Sequence, residues 1–168
     1  MPASTFVADF EVVCFAALVF WAAVSDILTF RIPNRLALAV ALLYPAYVFA
    51  APVPVDWLSA AGLAGAALIV GFFMYSRRYC GAGDVKLFAA VTLWGGPQLF
   101  FPFLFVTTLA GGVIALFIWL QHRFAQAPSL VLALQTASDP LIGKQQMPYG
   151  AAIAVAALYV AFTLLRLK

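Results

Sequence analysis

The sequence predicts an all-α membrane protein, a bundle of six transmembrane helices forming one domain over residues 1–168. Three observations carry this reading. Of the 168 residues, 66% are hydrophobic and 9% charged, and the mean hydropathy is +1.06. A soluble domain has about 25% charged residues, so this chain cannot clothe itself in a water-compatible surface and its solvent is largely lipid. The apolar residues also fall into runs of about 20, the length that crosses a bilayer, separated by charges, prolines and glycines.

The first run extends from Val12 to Val24 and on to about Leu28 if Asp26 is accommodated within it. Asp9 and Glu11 precede it, so the N-terminus lacks the basic region of a cleavable signal peptide. TFRIPNR follows, with Arg31 and Arg35 around Pro33. The second run, LALAVALLYPAYVFA, ends at APVPVD, where two prolines and Asp56 mark a loop. A third runs from about Trp57 to Tyr75 and stops at Ser76, Arg77 and Arg78.

No charge occurs between Lys86 and His122, a stretch too long for one span. GGPQ at 95–98 reads as the break of a hairpin, giving a short fourth helix and a fifth from about Leu99 to Leu120. The segment 121–146 is more polar, with His122, Arg123, Asp139 and Lys144, and its SLVLALQTA could form a short interfacial helix. The sixth run goes from Pro148 to Leu165. The runs are evenly apolar rather than amphipathic, as expected of helices bathed in lipid or in one another.

Six spans put Arg31, Arg35, Arg77, Arg78, Lys86, Arg123 and Lys144 on one side and Arg166 and Lys168 on the other. By the positive-inside rule the first side is cytoplasmic and both termini face outward. The net charge of +3 forms no basic patch for nucleic acid. Cys14, Cys80 and the single His122, with no CxxC, exclude the usual zinc site. Both cysteines read as structural.

Among six acidic residues, Asp26 and Asp84 alone border membrane-buried sequence on the side rich in lysine and arginine. Ionisable residues at such depth are costly, and functional by default. Two carboxylates sharing a low-dielectric site cannot both ionise easily; one keeps its proton while the other acts as base. Such a pair can activate a water and protonate a leaving amine. Gly81 and Gly83, just before Asp84, would let another backbone approach, as a substrate strand must. Plainer accounts stand beside this one. Asp84 could be the N-cap of its helix, Asp26 could pair with Arg31 or Arg35, and Lys86 could be a snorkelling positive-inside residue. Pro33 fixes the entry into the second helix and Asn34 caps it. Pro148, Tyr149 and Gly150 open the last helix in the same way, and this loop also could line a substrate groove.

GAGDVK at 81–86 matches the GxGD signature of intramembrane aspartyl proteases. The ordered set of Asp26, IPN at 32–34, GAGDVKLFAA and MPYGAAIA resembles the type IV prepilin peptidases. More narrowly, it is similar to their compact branch, associated with Flp-type (tight adherence) pili. The likeness covers nearly the whole chain; a lone GxGD would be weak, whereas the ordered set is specific. It implies that Asp26 and Asp84 are the catalytic pair and that the partner is a pilin-like precursor. Its short basic leader would be cut at the cytoplasmic face, typically after a glycine. Longer relatives carry an insert with two zinc-binding CxxC pairs and methylate the new N-terminus. This chain lacks the insert, so the resemblance does not carry methyltransferase activity or S-adenosylmethionine over to it.

Two other classes remain. A proton-coupled transporter also uses buried carboxylates, but its sites usually lie near the midplane between repeats, and no internal repeat is visible here. A non-catalytic pilus-assembly component would make Asp26 and Asp84 replaceable.

Overall fold

The computed structural model describes residues 3–29, 31–124 and 149–166, and these are almost wholly helical. The helices are α1 (Ala3–Thr29), α2 (Asn34–Ala50), α3 (Trp57–Ser76), α4 (Ala82–Phe124) and α5 (Tyr149–Arg166). Four of them contain segments long and apolar enough to cross a bilayer: Phe6–Thr29, Trp57–Ser76, Ala82–Leu120 and Tyr149–Arg166. α2 is apolar but shorter, at 17 residues. Large side chains such as Phe20, Trp21, Phe72, Phe73 and Phe117 point outward over the surface of the bundle. In water such a surface would aggregate; it suits a multi-pass membrane protein.

Five helices are distinguished rather than six because the fourth and fifth runs join without a loop: α4 consists of two helical arms that meet at one non-helical residue inside the expected GGPQ break. Gly96 has φ 56° and ψ −169°, and Pro97 follows it. Phe88 and Phe103, roughly two turns before and after the bend, meet ring to ring at 4.9 Å. A straight helix would hold them about 22 Å apart. The two arms therefore fold back on each other.

α5 packs on α1 and α4, α2 on α1 and α4, and α3 on α4. The buried side of α5 is small, with Gly150, Ala152, Ala154, Ala156, Ala157 and Ala161. Small residues let helices approach closely where lipid supplies no hydrophobic drive. At one end of the bundle Trp94 stacks on Phe15 at 4.4 Å and donates through Nε1 to the Val40 carbonyl at 2.8 Å. That carbonyl is next to the one deprived of its helical donor by Pro45.

The expected interfacial helix at 129–137 lies outside the described residues, as do Asp139, Lys144, Pro148 and Lys168.

The bend rests on a backbone conformation that is essentially restricted to glycine. Gly96→Ala is expected to lose about 1–3 kcal/mol. Gly62→Ala, whose new methyl would meet nothing within 4 Å, should cost nothing. Thermal unfolding of the two variants in detergent compares them directly.

Candidate active site

Each acidic residue singled out in the sequence heads or closes a buried helical stripe. On α1, Ala8, Val12, Phe15, Val19 and Ala22 recur at steps of three and four and are all wholly buried. The next step is Asp26, 5% exposed. On α4 the stripe reads Asp84, Leu87, Val91 and Trp94, with Leu87 and Val91 wholly buried. On α5 it opens with Gly150 and continues through Ile153, Ala157 and Val160. Side chains spaced by three or four share a helix face, so core packing itself turns both carboxylates inward.

Ile32, in the turn between α1 and α2, joins the three stripes. Its Cβ and carbonyl oxygen would each lie 3.0 Å from a methyl placed on Gly83. Its Cδ1 would lie 2.6 Å from a methyl on Gly150, and the Asp26 Oδ2 2.8 Å from the same point. Gly83 and Gly150 thus admit Ile32 and Asp26 where any side chain would collide. At Gly83 the backbone at contact distance is the chain's own, that of Ile32. Ser25 Oγ and Thr29 Oγ1 secure the turn by donating to the Arg31 carbonyl at 3.0 and 3.2 Å.

Asp26 lies against the backbone N–H groups of Gly150 and Ala151 in the first turn of α5. The N-terminus of a helix favours negative charge. Its Oδ2 is buried and has no hydrogen-bond partner among the described residues. Its neighbours are these amides rather than Arg31 or Arg35. Asp84 is not the N-cap of α4 but sits in its first turn, and its Oδ2 accepts from the Gly81 N–H at 3.1 Å. This is half of a capping box. The two carboxylates are within electrostatic reach of each other.

Lys86 Nζ donates to Asn34 Oδ1 at 3.0 Å. Asn34 is therefore not a cap. Pro33 holds the N-cap position with ψ 132° and no side-chain cap, and the Asn34 amide is committed to α4. Tyr149 is exposed at the start of α5, while Gly150 is buried. Cys80 is half-buried beside the site, and burial together with the Asp84 charge pushes its thiol up. It therefore stays a thiol, unsuited to act as a nucleophile. Among the described residues, no three of His, Cys, Asp and Glu come together as a metal site would require.

The missed residues are Ile32 as the central contact and Gly150 as a necessity for Asp26. The IPN and PYG stretches contain both residues, but neither says that the two touch.

Fold and site together define a polytopic helical membrane protein that holds a carboxylate pair at one end of its bundle. Residues 13–116, more than half of the chain and including both aspartates, match the model of the type IV leader peptidase family. The chain belongs to that family and is a peptidase of its kind. No curated protein and no solved structure matches it.

Gly83→Ala and Gly150→Ala should each displace a carboxylate by the order of 1 Å, and such misplacement costs about a hundredfold in rate. Peptidase assays on the purified variants are expected to show that loss, with Gly62→Ala at the parental level. Normal activity in Gly150→Ala would dissociate Asp26 from the chemistry.

Proposed function

We propose that the protein is a membrane-embedded aspartic endopeptidase that removes the leader peptide from type IV prepilin precursors of the Flp class. The observation that supports it is a pair of carboxylates from two different helices, turned inward and within electrostatic reach across the Ile32 contact. In this reading Asp26 and Asp84 share one proton. The ionised member takes a proton from a bound water as its oxygen attacks the scissile carbonyl carbon. The protonated member donates to the carbonyl oxygen, which becomes the hydroxyl of a tetrahedral intermediate. Its collapse breaks the C–N bond, and the leaving amine takes up a proton. Lys86, held by Asn34, stands at the rim, and Pro33, Tyr149 and Gly150, with Pro148 beyond the described residues, would border the substrate. The chemistry calls for neither a metal nor S-adenosylmethionine.

The enzyme would lie in the cytoplasmic membrane with the carboxylates toward the cytoplasm. The supporting fact is the concentration of Arg31, Arg35, Arg77, Arg78 and Lys86 in the turns at that end. Reporter fusions after Arg78 and after Lys168 should report cytoplasm and exterior respectively. The reverse pattern would overturn this orientation.

Asparagine matches aspartate in size and can still support a helix start, so Asp84→Asn separates chemistry from capping. Asp26→Asn and Asp84→Asn are each expected to lower precursor cleavage by about a hundredfold to ten-thousandfold, with normal membrane insertion. The double variant should be no worse than either single one, because the pair acts as a unit. Conversion of a full-length precursor, followed by mass, reads this out. Near-normal cleavage by Asp84→Asn would eliminate the mechanism.

A further inference from the structure

At the end of the bundle away from Asp26 and Asp84, the α2–α3 turn and the bend of α4 border a half-open cavity of about 230 Å3, with Asp56 at its exposed edge. Tyr44, Tyr47, Trp94, Asp56 and Gln98 line it together with the backbone of the bend. No lysine, arginine or histidine is on its wall among the described residues.

The polar side chains of this wall are Asp56, Gln98, Tyr44 and Tyr47, and the one formal charge among them is negative. Asp56 caps α3, and hydrogen bonds from the hydroxyl and N–H of Ser59 hold its carboxyl below the usual range, so it is a carboxylate. The two arms of α4 meet here at Gly96 and Pro97, so the last carbonyls of the first arm and the first turn of the second both border the cavity. Asp9 and Glu11 of α1 lie within electrostatic reach of Tyr47. Tyr44 is 5% exposed, and its hydroxyl has no hydrogen-bond partner among the described residues. A buried hydroxyl without a partner is costly, and a ligand or water must supply one.

Size and wall composition narrow the cation. The volume far exceeds a bare metal ion yet falls below the roughly 300 Å3 at which pockets for drug-sized molecules begin. The Tyr44, Tyr47 and Trp94 rings form one cluster, with centroids 5.1–6.4 Å apart. Aromatic clusters beside a carboxylate are the setting in which alkylated ammonium groups are bound. We propose that this cavity binds a small organic ammonium group, supplied by a choline or ethanolamine lipid headgroup or by a free amine. The site is independent of the Asp26–Asp84 chemistry.

The test is thermal unfolding of the full-length protein in an uncharged detergent with choline chloride, against sodium chloride of equal ionic strength. The neutral isostere 3,3-dimethylbutan-1-ol serves as the second control. Choline is expected to raise Tm by several degrees in a saturable manner, as a ligand of the native state must. The isostere should not. Asp56→Asn keeps the helix cap but removes the charge, so it should weaken choline binding at least about tenfold. Tyr44→Phe should weaken it less. In nanodiscs, a lipid source shows as a higher Tm with phosphatidylethanolamine than with phosphatidylglycerol alone, and choline then adds nothing. A free-amine source shows as a choline shift of equal size in both. The proposal is overturned if choline gives no shift, if the isostere matches it, or if Asp56→Asn responds like the parent.

Discussion

The site depends on one contact, the seating of Ile32 between Gly83 and Gly150. Three separate parts of the chain meet there: the α1–α2 turn, the start of α4 and the start of α5. In lipid the hydrophobic effect does not hold helices together, and close backbone approach with dense van der Waals contact takes its place. A wedge of one isoleucine against two glycines gives such contact at the depth where the carboxylates lie. It sets the height of α4 relative to α1, and so the height of Asp84 relative to Asp26. It also carries Gly150 and its amide to the Asp26 carboxyl group, where a larger residue would expel it. The hydroxyls of Ser25 and Thr29 make the turn stiff enough to act as a wedge.

Much of the fold was legible because apolar runs of about 20 residues compel helices: a helix of that length crosses the bilayer with every backbone group paired within its own segment. The run boundaries around Trp57, Ser76 and the GGPQ break follow from the same punctuation that the structure displays. Which side of each helix faces inward was not legible from hydropathy. Phe20 and Trp21 are exposed and as apolar as the buried Val19 and Ala22, so the contrast that marks a buried face in water disappears. The carboxylates themselves restore it. Stepping back by three and four from Asp26 traces the buried stripe of α1, and stepping forward from Asp84 traces that of α4. A costly group in lipid has to face protein, and it marks the inner face more surely than any apolar residue does.

In the sequence Asn34 reads as a cap, and capping stands as the plainer account of Asp84. An asparagine after a proline at a helix start, and an aspartate at the start of another helix, both have local capping roles available. A tertiary contact overrides that role at Asn34, whereas Asp84 keeps a local one, as half of a capping box. The Asn34 amide is drawn to Lys86, a residue remote in sequence, and Asp84 reaches back to Gly81 from within the first turn. Gly83 was recognised as a place of close approach, but the sequence does not say which backbone approaches. That information lies in how the α1–α2 turn meets α4, and no single segment contains it.

The spacing of Asp84 and Lys86 gains meaning from the same geometry. Residues two apart on a helix point to different sides, so the ammonium does not fall naturally on its neighbouring carboxylate. Asp84 follows the buried stripe toward Asp26, while Lys86 turns to α2 and bonds a neutral amide. Had Lys86 paired with Asp84, the ion pair would fix that carboxylate in its charged form and remove it from any proton shared with Asp26. The Asn34 acceptor satisfies the ammonium without neutralising it. A positive charge is thereby kept at the rim of the site, the carboxylates are left to each other, and the α1–α2 turn acquires a second tie to α4 beside the Ile32 wedge.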